Sequence, residues 1–140
     1  MYNKPIGKEI KQLVNDNSDS VFIVADGGIA LQNYIAVNGA KTINTINHVP
    51  NLTLYHKLDP ELDYDNIYNR YHHLSVNIVE EKTNFSLIQA DAITLNLNVD
   101  DICITKANYI VTNGENKIIS SRFNNIYHEY NVNIYKTNCK

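Results

Sequence analysis

The chain has 140 residues, 44% of them hydrophobic and 19% charged, with a formal net charge of -3 and a pI near 5.9. That balance excludes a disordered chain, and the length suits one domain with a single core spanning residues 1–140. Lys and Arg are scattered and give no basic field to neutralise phosphates, so nucleic acid is excluded as a partner.

In chain order, Ile6, Ile10, Leu13 and Val14 recur at helical spacing after Pro5, which suits a first-turn position, and predict an amphipathic helix over Lys4 to Asp16. Val21 to Ala25 is a short apolar, β-branched run, the pattern of a strand buried on both faces as in a parallel sheet. Asp26, Gly27 and Gly28 turn the chain into a second helix through Val37, with Gly39 as its C-terminal cap. A strand over Lys41 to Ile46 completes a helix-strand-helix-strand unit. From His48 to Tyr71 the pattern is irregular, and a loop carrying one or two helical turns is expected, with helical phase at Tyr64, Ile67 and Tyr68.

Beyond it the period changes to alternation, at Leu74, Val76 and Ile78, at Phe85 and Leu87, and at Ile93, Leu95 and Leu97. This predicts three antiparallel strands with one solvated face. Val99 to Lys106 suits a helical turn and Tyr109 to Val111 a buried strand leading to the Asn113-Gly114 turn. Ile126 to Tyr130 and Val132 to Tyr135 suit a closing hairpin across Asn131. The expected fold class is α/β, a mixed sheet with buried, partly parallel strands first and antiparallel strands last.

Chemically capable residues fall in two places. The Asp26-Gly27-Gly28 turn lies where α/β folds bind phosphates, since backbone N–H groups and the helix dipole converge there. It has two glycines rather than a dinucleotide or Walker loop, so a plain strand-to-helix turn capped by Asp26 is the better fit and a ligand at the turn the second reading. The run Tyr68-Asn69-Arg70-Tyr71-His72-His73 is the densest such segment. Arg70, one of two arginines, suits a bidentate clasp on Asp59, Asp63 or Asp65, or capture of an anionic ligand between Tyr68 and Tyr71. Tyr55, Tyr64, Tyr68 and Tyr71 offer ring faces on which sugars stack.

No catalytic constellation, metal site or cofactor is expected. The five histidines show no HxxxH spacing, no serine sits in a GxSxG elbow, and Asp59, Glu61, Asp63 and Asp65 read as a solvated loop. Cys103 and Cys139 stand far apart with no CxxC, which suits one buried thiol and one exposed near the C-terminus and leaves their pairing open. No apolar run approaches the roughly 20 residues that span a bilayer, and no signal peptide is visible. The immediate entry into an amphipathic helix suits a domain taken from a longer chain.

The segment Asn38-Gly39-Ala40-Lys41-Thr42-Ile43-Asn44, then Pro50, Leu58-Asp59-Pro60 and Ile67 to His73, resembles large bacterial polytopic membrane proteins of the GT-C glycosyltransferase and YfhO-like kind. Ala107 to Thr112, Ile126-Tyr127 and Asn133-Ile134-Tyr135 resemble the close of their extracytoplasmic C-terminal regions, while His72 departs by standing where a small residue precedes the equivalent of His73. The resemblance implies a domain on the extracytoplasmic face of the membrane, with sugar transfer carried by acids of the membrane part. Its partners would be the transmembrane part of the same chain and a glycan or lipid-linked sugar. Its role would be accessory, positioning or glycan-recognising, and the alternative is a nucleotide- or sugar-phosphate-binding domain using the Gly27-Gly28 turn.

Overall fold

The structure, a computed structural model, describes residues 4–25, 28–43, 46–47, 52–69, 72–129 and 131–139. Helix α1 (Lys4–Asp16) buries Ile6, Ile10 and Leu13, as its spacing requires. Strand β1 (Val21–Ala25) is buried from Phe22 onward, and helix α2 (Gly28–Val37) returns over it and stops at Gly39, whose φ of 97° is the left-handed cap conformation. At Gly7 a side chain would meet the Tyr34 hydroxyl at 2.9 Å and the Asn38 carboxamide at 3.1 Å, so the missing Cβ is what lets α1 lie close against α2.

The expected strand at Lys41 to Ile46 is instead two short pieces on different neighbours. Strand β2 (Lys41–Thr42) pairs parallel with the start of β1, and β3 (Ile46–Asn47) pairs antiparallel with β4 (His72–Val79). Between β3 and β4 stand helix α3 (Leu52–Leu58) and the single turn α4 (Asp65–Tyr68). Then follow β5 (Asn84–Gln89), β6 (Ala92–Asn98), a 3-10 helix (Val99–Thr105), β7 (Tyr109–Asn113), helix α5 (Lys117–Ser120), β8 (Asn124–Glu129) and β9 (Val132–Lys136). The strands run in the order β5-β6-β4-β1-β7-β9-β8. The α/β class and the mixed sheet are as expected, and β8 and β9 form the hairpin across Asn131.

The three alternating strands are a correction. β6 pairs with β4 in parallel over seven residue pairs, from His73 with Ala92 to Val79 with Asn98, and β5 lies outside β6, antiparallel to it. The parallel strands β6, β4, β1 and β7 therefore occupy the centre, and apart from the short pairing of β3 with the start of β4 the antiparallel pairs lie at the flanks. Alternation specifies which face a side chain takes but not the direction of its neighbour, which depends on where the connection crosses.

Two apolar clusters lie on opposite faces and are offset along the sheet. Helices α1 and α2 cover Phe22, Val24, Val111, Val132 and Ile134, the half made by β1, β7 and β9. On the other face α3, α4, the 3-10 helix and α5 cover Ile23, Leu74, Val76, Phe85, Leu95 and Ile110, the half centred on β4 and β6. Among the described residues each face thus keeps one half that no helix covers. Both edge strands carry an irregularity, between Leu87 and Gln89 in β5 and between Asn125 and Tyr127 in β8, which interrupts the flat ladder that edge-to-edge pairing needs.

Candidate functional site

The open half beside β4, β6 and β5 has an unusual chemistry. Val76 shares the core with Ala25, so the odd-numbered residues of β4 face the side of the sheet that carries α1 and α2, beyond the reach of those helices. Register places Asn77, Asn96 and Asn84 in one row across the three strands and Ser75, Thr94 and Ser86 in the next. All six are exposed or half-buried, and none is charged. Asn77 donates to the Asn96 carbonyl at 3.3 Å, Asn96 to the Asn84 carbonyl at 2.9 Å, and Asn84 to the Lys82 carbonyl at 3.1 Å. This chain of bonds fixes the amides while using only part of their capacity, since each carboxamide can make up to four hydrogen bonds. His73 lies half-buried two residues before Ser75 on the same face, its backbone N–H bonded to the Asp91 carbonyl at 2.7 Å.

The segment between α3 and β4 is organised by Asp59. Its carboxylate is buried and accepts hydrogen bonds from the N–H of Asp63 at 3.0 Å, the N–H of Tyr64 at 2.9 Å and the hydroxyl of Tyr68 at 3.0 Å. Tyr68 is 0% exposed and packs on Phe85 with ring centroids 4.6 Å apart, and Tyr55, 1% exposed, closes the cluster at 5.0 Å from Tyr68 and 5.2 Å from Phe85. Burial raises the hydroxyl pKa of both, reinforced at Tyr68 by Asp59. Neither ring presents a face to a sugar, so the stacking surface expected of these tyrosines is spent on the core. Among the described residues Asp59 is held by a tyrosine and two backbone N–H groups and Asp65 faces His56 at 3.1 Å, while the clasp expected of Arg70 falls outside them.

Of the other expected residues, Asn69 is exposed and ends α4, its N–H bonded to the Asp65 carbonyl at 3.0 Å. Gly28 opens α2 just past the carboxyl end of β1, where a strand-to-helix turn was expected. Asp26, Gly27, Arg70 and Tyr71 lie outside the described residues.

Cys103 and Cys139 form a disulfide, and neither is a free thiol. The half-cystine at 103 is exposed and that at 139 half-buried, so the expected buried thiol is replaced by a surface staple between the 3-10 helix and the C-terminal segment. Spacing alone carried no sign of it. The sequence pattern also left the amide row unread, since its signal is a single Asn in each of three strand-like runs, at 77, 84 and 96, in a chain where Asn is common throughout. Among the described residues no three His, Cys, Asp or Glu side chains gather as metal ligands, and no helix is long and apolar enough to cross a membrane.

No curated protein matches the chain, and no solved structure matches it. Residues 1–140 match the family described as Domain of unknown function (DUF7654), and the chain belongs to that family.

Proposed function

We propose that the chain is a noncatalytic, extracytoplasmic recognition domain of a membrane-anchored cell-envelope protein resembling GT-C-type glycosyltransferases, and that it recognises neutral glycan through the amide and hydroxyl rows of β4, β6 and β5. The observation that carries the reading is the row Asn77, Asn96, Asn84 beside Ser75, Thr94 and Ser86 on an open sheet face without charge. Sugar hydroxyls both donate and accept, as do carboxamides and hydroxyls, whereas covering a charged face with a neutral ligand would strand ions without water. The disulfide supports the compartment, since such bonds persist outside the reducing cytosol.

Saturation-transfer NMR against neutral oligosaccharides, alongside a glycan array, tests this. Binding that is lost in Asn96→Ala and Asn77→Ala, with melting unchanged, is the expected result. A folded protein that binds no neutral glycan, or binds equally well after both substitutions, refutes it.

A further inference from the structure

A second feature sits at the amino end of the parallel strands, on the other side of the sheet. There β1 has two neighbours along one edge: β4 meets it only at Ala25, and at Val21 and Phe22 its place is taken by β2, which contributes two residue pairs. The sheet splits at this point, and the split opens a cleft of about 350 Å³. Its walls are β2 with Ile43, helix α3, and the turn that follows the 3-10 helix.

Three of the twelve basic residues of a chain with net charge -3 line this cleft: Lys41, Lys57 and Lys106, one from each wall. No Asp or Glu among the described residues lines it. The nearest acid partner is Asp19, 3.6 Å from the Lys41 ammonium, and both are so exposed that their attraction is weak. All three lysines are exposed, so water screens their mutual repulsion, and an anion in the hollow would meet cationic residues from all three walls.

The wall that carries Lys106 is built with care. Lys106 has a φ of 62°, a left-handed conformation that costs a long side chain about 1 kcal/mol or more and that concentrates at functional positions. It is held there by its N–H on the Cys103 carbonyl at 3.1 Å and by the Thr105 hydroxyl, which donates to the Ile102 carbonyl at 2.6 Å and accepts from the Ala107 N–H at 3.2 Å. The disulfide ties the same turn to the C-terminal segment, and Asn108 locks it to β1 by bonds in both directions with Val21, at 2.9 and 2.7 Å. Besides the three lysines the lining includes the apolar Val21, Leu54 and Ile104 and the exposed Thr53. The volume is that of a small organic ligand.

We infer that this cleft binds the phosphate of a small phosphate ester, with Lys41, Lys57 and Lys106 as the anion-binding groups and the apolar wall receiving the organic part. The site is independent of the amide rows, which lie on the opposite face. Lysine ammonium groups suit phosphate as point charges that adapt to the position of the anion.

The test is a two-dimensional amide NMR titration of the whole chain with glucose 1-phosphate and with glucose, to about 20 mM, the range that resolves millimolar dissociation constants. It is run on the wild type and on Lys57→Gln/Lys106→Asn; Asn tolerates the left-handed backbone. Cosedimentation with phosphatidylglycerol and with phosphatidylcholine vesicles forms the second arm. Saturable shifts at Thr42, Thr53, Thr105 and Lys106 are expected with glucose 1-phosphate and not with glucose, weakened about tenfold in the variant and by added salt. Binding to phosphatidylglycerol vesicles alone, with the same dependence on the two lysines, also supports the site and assigns the phosphate to a lipid headgroup. No saturable binding in either arm, or binding unchanged in the variant, overturns the inference. If the variant melts early, Lys41→Gln/Lys57→Gln, both exposed, replaces it with the same expected loss.

Discussion

Replacing Cys103 and Cys139 together by serine removes the disulfide and leaves both side chains at the surface, so the cost falls mainly on the unfolded state. The bond joins residues 36 apart in sequence. For a loop of that size the chain-entropy relation gives about 13 cal/mol/K, or roughly 4 kcal/mol at 25 °C. A chain of 140 residues unfolds with an entropy of about 0.3 kcal/mol/K, so the melting temperature should fall by about 13 °C. Differential scanning calorimetry of wild type with and without reductant, beside the double serine variant, measures it. Reduced wild type and the variant should melt together, well below the oxidised protein, and a thiol assay on unreduced, denatured protein should find no free thiol. Coincident melting of oxidised and reduced protein would refute the reasoning.

Asp59→Asn puts an amide NH2 where at least one donor now points at an oxygen, and should cost about 2–3 kcal/mol, read in urea denaturation; combined with Tyr68→Phe it should cost less than the sum of the two, because the same bond is lost in both. Full additivity would separate the two residues. Tyr55 and Tyr68 have hydroxyl pKa values raised above 10.0 by burial, so the unfolded chain ionises first on the alkaline side. Their contribution to stability is therefore complete below pH 10 and should be lost as pH rises beyond it, by up to about 1.4 kcal/mol per pH unit for each tyrosine. Urea denaturation between pH 9 and 11.5 should show that slope in wild type and a shallower one in Tyr55→Phe; equal slopes would place Tyr55 in water.

The parts of the fold that were legible in the sequence are those whose signal is local. Ile6, Ile10 and Leu13 mark one face of α1, the β-branched run Val21 to Ala25 has the pattern of a doubly buried strand, and Gly39 and Asn131 sit where the backbone turns left-handed. Strand direction was not legible, because Leu74, Val76 and Ile78 alternate identically beside a parallel or an antiparallel neighbour. Helix α3 had a weak signature, Leu52, Tyr55 and Leu58 three apart, hidden in a segment rich in turn residues. α5 is too short for any period and rests on Asn116, whose side chain accepts from the Ile119 N–H. Tyr68 was read as a ligand residue because chemistry was visible and burial was not; its single helical turn lays it on Phe85, a partner 17 positions onward. The disulfide depends on bringing the 3-10 helix to the C-terminal segment, which no spacing encodes.

The offset of the two helical layers also separates structural asparagines from available ones, although the residue type is the same. On the other half without a helix, over β8 and β9, Asn133 is 4% exposed and held by three polar contacts: its carbonyl accepts from Asn125 at 2.9 Å and lies 2.7 Å from His128 Nδ1, and its amide donates to the Gly114 carbonyl at 3.0 Å. That cluster pins the hairpin to the turn after β7, and its central residue has no exposed amide to offer. Asn77 is exposed, and its amide donates one bond to a neighbour that is itself half-open. A buried amide left unpaired would cost about 1–3 kcal/mol, so Asn133 explains itself by its bonds. An exposed amide bears no such cost. What calls for explanation at Asn77, Asn96 and Asn84 is their alignment in a row with hydroxyls beside them, on a face that the fold leaves uncovered. The proposed neutral, hydroxyl-rich ligand would account for that alignment, and Asn96→Ala separates recognition from mere solvation: glycan binding should be lost while the hairpin at Asn133 stays intact.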